Sequence, residues 1–306
     1  MTEIQRVAVL GAGALGSFFA GRFFDTPEFS TFLVAKGSRR ERLERDGLTI
    51  NGKHYPIPVI DPAHSQAPMD LIIVALKQYH LEEALQGLEK LVGDDTIFVS
   101  FMNGLESEDC IAEIFGKEKV LHGVSVGIDA LRQENQMSYT NPGKHYFGEL
   151  NNAEINEKVR RVQKAFESAG IQYETPVDML RIMWWKFMVN VGMNQASAVM
   201  RAPYGVFHKD KDAQELMQAL MGEVIALAQA QGINLTERDI DEWIPFLHGL
   251  SPQGKTSMLQ DIEAGRKTEV EIFGGKVVEL GKKYNVPTPV NETLLRIIRV
   301  LEQNSA

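Results

Sequence analysis

The strand-like run Arg6–Leu10 (RVAVL) passes directly into Gly11-Ala12-Gly13-Ala14-Leu15-Gly16, and this junction constrains the fold more than any other feature of the chain. A β-branched run ending in G-x-G-x-x-G and opening an apolar helix through Phe24 predicts the dinucleotide-binding turn of a βαβ unit. Glycine-rich turns are common; the strand before this one and the helix after it make the motif specific. Gly11 permits the tight turn, Gly13 allows close approach of a pyrophosphate, and Gly16 lets helix and strand pack closely. Ala12, Ala14 and Leu15 complete a loop at the positive end of the helix dipole, where unpaired N–H groups face phosphate.

The following residues keep the same alternation. Thr31–Ala35 predicts the second strand and SRRERLERDG a charged helix. Leu48–Ile50 and Tyr55–Val59 predict a hairpin around Asn51-Gly52. Leu71–Leu76 and Ile97–Phe101 are almost continuously apolar, as strands covered on both faces are. Val120–Val126 and the region of His145–Phe147 predict further antiparallel edge strands. From Asp178 onward helical periodicity dominates, broken at Pro203, Gly232, Ser251-Pro252 and Pro287. The expected fold class is α/β: an N-terminal Rossmann-type dinucleotide-binding domain over residues 1–175, followed by an all-helical domain over 176–306.

Cofactor choice is written about 20 residues past the glycine loop, where NAD-binding versions place an Asp or Glu for the ribose 2′-hydroxyl. Here that position holds Lys36, with Arg39 and Arg40 just beyond. A cationic cluster suits a 2′-phosphate, so NADP(H) is favoured over NAD(H), although lysine reads phosphate with less geometric definition than arginine. Ligands of open α/β sheets lie beyond the carboxyl ends of the strands. Lys77 and Asn103 stand at two such ends, as cofactor or substrate contacts or as plain turn residues.

Composition narrows the alternatives. With 32 Lys and Arg against 41 Asp and Glu, the net charge of −9 argues against a broad nucleic-acid surface. Cys110 is the only cysteine, so an intrachain disulfide and a cysteine metal cluster are excluded. Packing is its expected role, and a reducing cytoplasm the expected location. The apolar N-terminal stretch lacks the basic leader and cleavage site of a signal peptide. No run is long enough to predict a membrane span. No histidine has metal-ligand spacing, and neither H-E-x-x-H nor G-x-S-x-G occurs, so no metal site is expected.

In the second half, Trp184–Asn194 (WWKFMVNVGMN) carries Lys186, Asn190 and Asn194 at intervals of four, one polar stripe on an otherwise apolar helix. Burial can lower a lysine pKa into a range useful for proton transfer. The bland alternative is an exposed stripe on an amphipathic helix. Ser257 and Asp261 share a helix face, with Asp261 expected to be structural. Gly265 breaks the helix, and Thr268 with Glu271 predicts a capping box for the next one. Glu269 then falls in the first turn, where the dipole favours its carboxylate.

Taken together, GAGALG, the strand-end LK at Lys77, NG at Asn103, WWKFMVNVGMN, SMLQD and TEVE resemble the ketopantoate reductase family (2-dehydropantoate 2-reductases) over nearly the whole chain. The resemblance implies a Rossmann domain followed by a helical domain, with the active site in the cleft between them. It implies hydride transfer from NADPH to the 2-oxo carbon of ketopantoate, giving (R)-pantoate for pantothenate and coenzyme A synthesis. By position, Lys186 is then the general acid, and Asn103, Asn190, Asn194 and Ser257 hold the substrate. Glu269 contacts the cofactor and helps to position Lys186. Three departures touch cofactor or substrate: Lys36 where arginine is frequent, Glu271–Gly275 without the usual asparagine, and Tyr204 where some members use an asparagine. A related 2-hydroxy acid dehydrogenase with another substrate and a non-catalytic NADP(H)-sensing protein remain as alternatives. The apolar faces of the helical half allow a homodimer.

Overall fold

The computed structural model describes residues 3–64, 67–133 and 136–304. The chain divides into two compact units, Met1–Met179 and Leu180–Ala306. The first holds β1 (Arg6–Leu10), α1 (Ala14–Phe24), β2 (Ser30–Val34), α2 (Gly37–Asp46), β3 (Leu48–Ile50), β4 (Lys53–Tyr55) and β5 (Val59–Ile60). It continues through β6 (Met69–Val74), α3 (Leu81–Leu85), β7 (Val92–Ser100), α4 (Ser107–Phe115), β8 (Val120–Val126), β9 (Leu131–Gln133), β10 (Gln136–Ser138), β11 (Lys144–Gly148), α5 (Glu157–Ser168) and β12 (Tyr173–Glu174).

Among the described residues the main sheet runs β12-β11-β8-β7-β6-β1-β2-β5. From β5 through β8 the neighbours are parallel, and the chain leaves β1 toward β2 on one side and returns to β6 on the other. This is the doubly wound order, and the reversal beside β1 is the topological switch point where such sheets bind ligands. The expected Rossmann class is therefore observed. Alternation within the strands feeds two apolar layers. Val7, Val9, Leu71 and Ile73 point to the face covered by Phe18, Phe19 and Phe23 of α1 and Val162 and Phe166 of α5. Ala8, Leu10, Ile72 and Val74 point to the face covered by Leu81 and Leu85 of α3 and Ile111 of α4. Cys110 is half-buried and packs against this second layer.

Three expectations need correction. The strand β8 is interior rather than an edge, because it pairs parallel with β7 as well as antiparallel with β11. Nor is β11 an edge: the two-residue β12 adds to it in parallel. The hairpin closes through Asn51-Gly52 with both φ values positive (48° and 79°), but its second arm is Lys53–Tyr55 and not Tyr55–Val59. A two-residue turn fixes the register of the returning strand, and β3 also pairs with β10 in a separate four-stranded sheet.

The second unit is helical: α6 (Met179–Met200), α7 (Tyr204–Phe207), α8 (Lys211–Ala230), α9 (Glu237–Gly249), α10 (Ser257–Glu263), α11 (Gly274–Tyr284) and α12 (Pro289–Asn304). Every residue from Phe187 to Ala198 is buried, so α6 is surrounded rather than amphipathic. Its polar side chains therefore need partners within the protein. Gln195 Nε2 donates to Asn291 Oδ1 (2.8 Å), and Asn291 Nδ2 donates to Glu223 Oε2 (2.7 Å), tying α6 to α12 and α8. Ser197 Oγ donates to the Ala202 carbonyl (2.7 Å) and turns the chain out of the helix.

Candidate active site

In the nucleotide unit, each glycine of the loop after β1 meets a different constraint. Gly11 has φ +109°, and a Cβ there would lie 2.5 Å from the Ala75 carbonyl oxygen of the neighbouring strand end. At Gly16 a Cβ would come within 1.7 Å of the Gly11 carbonyl oxygen, so α1 can approach β1 only with glycine there. Gly13 is different: the nearest atom to its Cβ position is Ala75 O at 3.9 Å, and nothing in the protein forbids a side chain. The helix starts without a side-chain cap and without an acid in its first turn. Ala12 is buried, Ala14 and Leu15 are half-buried, and the turn is held by Ser17 N donating to Gly13 O (2.9 Å). The cradle fits a pyrophosphate by the chemistry of its donors and by the room at Gly13.

Around the end of β2 the three expected cations differ. Lys36 is exposed, and its Nζ donates to the Gln86 carbonyl (2.5 Å). Arg40 pairs with Glu44 (2.7 Å) and Asp61 (3.5 Å). Half-buried Arg39 has its pKa lowered by burial and by the neighbouring Arg42 guanidinium. Both influences on Arg39 are those an added anion would relieve. Lys77 follows β6, with its Nζ 6.0 Å from the centre of the Tyr79 ring. Asn103 lies in the short loop from β7 to α4, half-buried beside Gly104 at φ +97°.

In the helical unit the structure joins three of the expected residues. Asn194 Oδ1 accepts from Ser257 Oγ (3.1 Å) and from Met258 N (3.2 Å), in the first turn of α10. Asn194 Nδ2 donates to Asn190 Oδ1 at a long 3.4 Å. Thr256 caps the same helix by accepting from Leu259 N (3.2 Å). The Asn194 carbonyl thus anchors α10 to α6, while Ser257 is exposed and keeps its acceptor lone pairs. Lys186 is half-buried one turn before Asn190, and burial lowers its ammonium from the usual 10.5 to about 8. Asp261 is buried and accepts from Arg266 Nε (2.9 Å).

The Thr268–Glu271 capping box does not form. Thr268 Oγ1 donates to Glu302 Oε1 (2.5 Å) and accepts from Val270 N (3.1 Å), while Glu271 forms a two-bond pair with Arg299 (2.7 Å each). A short 3₁₀ turn, Val270–Ile272, comes before α11, so Glu269 stands at the position just before that turn, without a capping bond from its side chain, instead of sitting in an α-helix. Glu269 is buried at 8 % exposure. Motif spacing misread this segment because two distant arginine and glutamate partners on α12 compete for its side chains.

The sequence reading also missed a buried chain in the nucleotide unit. Ser100 Oγ and Ser107 Oγ lie 2.7 Å apart, and Ser107 Oγ donates to Glu108 Oε2 (2.8 Å). All three are at most 4 % exposed. The motif N-G-x-x-S-E held the residues but not their pairing, which depends on how α4 returns to β7.

Residues 7–152 match the family described as "Ketopantoate reductase PanE/ApbA", and residues 178–302 match "Ketopantoate reductase PanE/ApbA C terminal". The chain belongs to the ketopantoate reductase family. It is 28% identical over 301 residues to a 2-dehydropantoate 2-reductase of Archaeoglobus fulgidus, covering 98% of this chain and 99% of that one. It is 25% identical over 302 residues to an uncharacterised oxidoreductase of Bacillus subtilis, covering 97% and 99%. Among solved structures it is similar to a D-mandelate dehydrogenase with NADH and anilino(oxo)acetate (TM-score 0.90, 22% identity, covering 98% and 99%). It is also similar to a dimeric ketopantoate reductase from Staphylococcus aureus (TM-score 0.83, 22% identity, covering 98% and 100%). The family is one of oxidoreductases, reductases of a small keto acid. Among the described residues no helix is long and apolar enough to cross a membrane.

Proposed function

We propose that this chain reduces 2-dehydropantoate to (R)-pantoate with NADPH, the reductive step toward pantothenate and coenzyme A, in the cytoplasm and as a homodimer. The observation that carries the reading is Lys186 on α6, one turn from Asn190, with burial bringing its ammonium to about 8. A cation that gives up its proton near neutrality is matched to the task of a general acid.

When bound, the reduced nicotinamide supplies a hydride to the 2-oxo carbon. Lys186 gives its proton to the carbonyl oxygen as negative charge develops there, and solvent returns a proton to the amine. Ser257 and the amides of Asn103 and Asn190 orient the carboxylate and hydroxyl groups. Asn194, whose carbonyl is already engaged, acts mainly by fixing Ser257. Glu269 contacts the cofactor and positions Lys186. Gly11 to Gly16 would hold the pyrophosphate, with Lys77 as a further contact, and Lys36 with Arg39 would hold the 2′-phosphate. The condition of Arg39, lowered by burial and a like charge, favours NADPH over NADH.

The test is NADPH oxidation with ketopantoate in parallel with pyruvate and phenylglyoxylate. Equal or faster turnover of phenylglyoxylate would replace the pantoate reading with that of an aromatic 2-oxo acid reductase. That second reading draws on half-buried Tyr204, whose hydroxyl burial raises to about 12. Full function in a Lys186→Ala protein would leave only NADP(H) sensing.

A further inference from the structure

The loop that carries Asn103 is closed at its base by side chains outside the catalytic set. Ser100 ends β7, Ser107 begins α4, and residues 101–106 span the gap between them. An ionised Glu108 can only accept, which gives the chain of bonds one direction. Ser107 O–H donates to Glu108, so Ser107 Oγ accepts from Ser100 O–H, and Ser100 Oγ accepts from Met102 N–H (3.3 Å). The carboxylate also takes the amide N–H groups of Glu108 and Gly123. Gly123 is itself pressed against this base, since a Cβ there would lie 2.3 Å from the Ser100 carbonyl oxygen. Phe101 N donates to Val74 O (2.9 Å), fixing the first loop residue to the central sheet.

We propose that Ser100, Ser107 and Glu108 are positioning residues for the reaction, a hydrogen-bonded clasp that sets the Asn103 loop for its contact with the 2-oxo acid. This rests on the role given to Asn103 above. Protonating the carboxyl turns one of its two accepting oxygens into a donor. With that proton on Oε2 the group donates to Ser107 Oγ, Ser107 O–H turns to Ser100 Oγ, and Ser100 O–H loses its acceptor in a buried site. The loop is thereby released at its base while the strand and helix remain.

The carboxyl is pushed up to about 7, mainly by burial, with Asp109 on its own helix adding to the rise. Of the elements packed around α4, strand β7 carries Asp94 and Asp95 at its exposed far end, and the turn before β8 carries exposed Lys117 and Glu118. Strand β8 brings His122, which burial keeps neutral and which faces Glu149 and Lys158. Helix α3 carries exposed Glu82 and Glu83, and in the turn before β8 the Lys119 amine is tied to the Gly93 and Asp94 carbonyls. None of these turns Glu108 into a simple ion pair.

The experiment is a double-mutant cycle on the full-length protein, read as kcat/KM and KM for the 2-oxo acid. Ser107→Ala should raise KM and lower kcat/KM about tenfold, as for loss of one hydrogen bond to a charged group. In an Asn103→Ala background the same change should have almost no further effect. Ser100→Ala is the second variant, should Ser107→Ala fail to fold by circular dichroism. Glu108→Gln keeps shape and should remove an ionisation near 7 from the kcat/KM profile of the unmodified protein. An undiminished Ser107→Ala loss on top of a damaging Asn103→Ala, or a Glu108→Gln profile identical to the parent, overturns the clasp alone. An Asn103→Ala protein with full activity overturns the role of Asn103 and the clasp with it.

Discussion

Replacing Lys186 with methionine, a side chain of similar length without charge, should move stability and activity in opposite directions. Burial takes the ammonium from 10.5 to about 8 in the folded protein. The folded state therefore binds fewer protons than the unfolded chain between these values, and stability rises as pH climbs through that window. Below pH 8 the cost of keeping the charge buried is fully present. At pH 7 the shift of about 2.5 units corresponds to roughly 3 kcal/mol, and at pH 10 to under about 1 kcal/mol. Lys186→Met should remove that cost, so it should stabilise the helical unit by up to about 3 kcal/mol at pH 7 and much less at pH 10. The chain's tryptophans, Trp184, Trp185 and Trp243, all lie in this unit, so denaturant unfolding followed by tryptophan fluorescence reads it selectively. The same variant should lose about 10²–10⁴-fold in reduction rate, the range for a missing general acid. In the parent protein the reduction rate should fall as pH rises through 8, because only the ammonium can donate. A Lys186→Met protein that is less stable at pH 7, or a rate flat from pH 7 to 10, would refute the assignment of a buried, proton-donating lysine.

Gly16→Ala should prevent the nucleotide unit from folding, since its Cβ would overlap the Gly11 carbonyl at 1.7 Å; circular dichroism and proteolysis would report this. Gly13→Ala should fold normally and yet weaken dinucleotide binding by tenfold or more in titrations, because only a bound ligand needs that space. Arg39→Ala combined with Lys36→Ala should raise KM for NADPH about tenfold and leave KM for NADH within about twofold, which steady-state kinetics would measure. His145 lies among Phe18, Phe19 and Phe101, and burial lowers its imidazole to about 4. Its folded pKa is below the unfolded 6.5, so the unfolded chain gains the proton first and stability falls as pH drops from about 6.5 to 4. The loss is about 3 kcal/mol, and a His145→Phe protein should show that much less acid sensitivity in parallel melts.

Within the site, Lys186, Asn190 and Asn194 were legible as one stripe because helix geometry alone aligns residues at intervals of four. Their environment was not. The sequence allowed an exposed amphipathic helix, whereas α6 is enclosed on all sides from Phe187 to Ala198. Burial at the edge of that enclosure perturbs Lys186, and the enclosure itself obliges Asn194 to hold α10. The Thr268–Glu271 spacing had the form of a cap, but Glu302 and Arg299 took both side chains. Local motifs yield when a distant partner offers a charge-assisted bond.

The sequence by itself determined the parts whose causes are short-range. The glycine turn, the apolar strands, the Asn51-Gly52 hairpin turn and the helix breaks each follow from backbone sterics or periodicity within a few residues. It also determined the family, because these motifs occur in order along the chain. Tertiary structure alone decided which strand lies beside which, making β8 an interior strand and adding β12 beyond β11. It alone assembled Ser100, Ser107 and Glu108, whose hydrogen bonds require α4 to fold back onto the end of β7. The physical reason is the same in each case. Sterics and periodicity act between chain neighbours, whereas burial, pairing and pKa depend on groups that become neighbours only after folding.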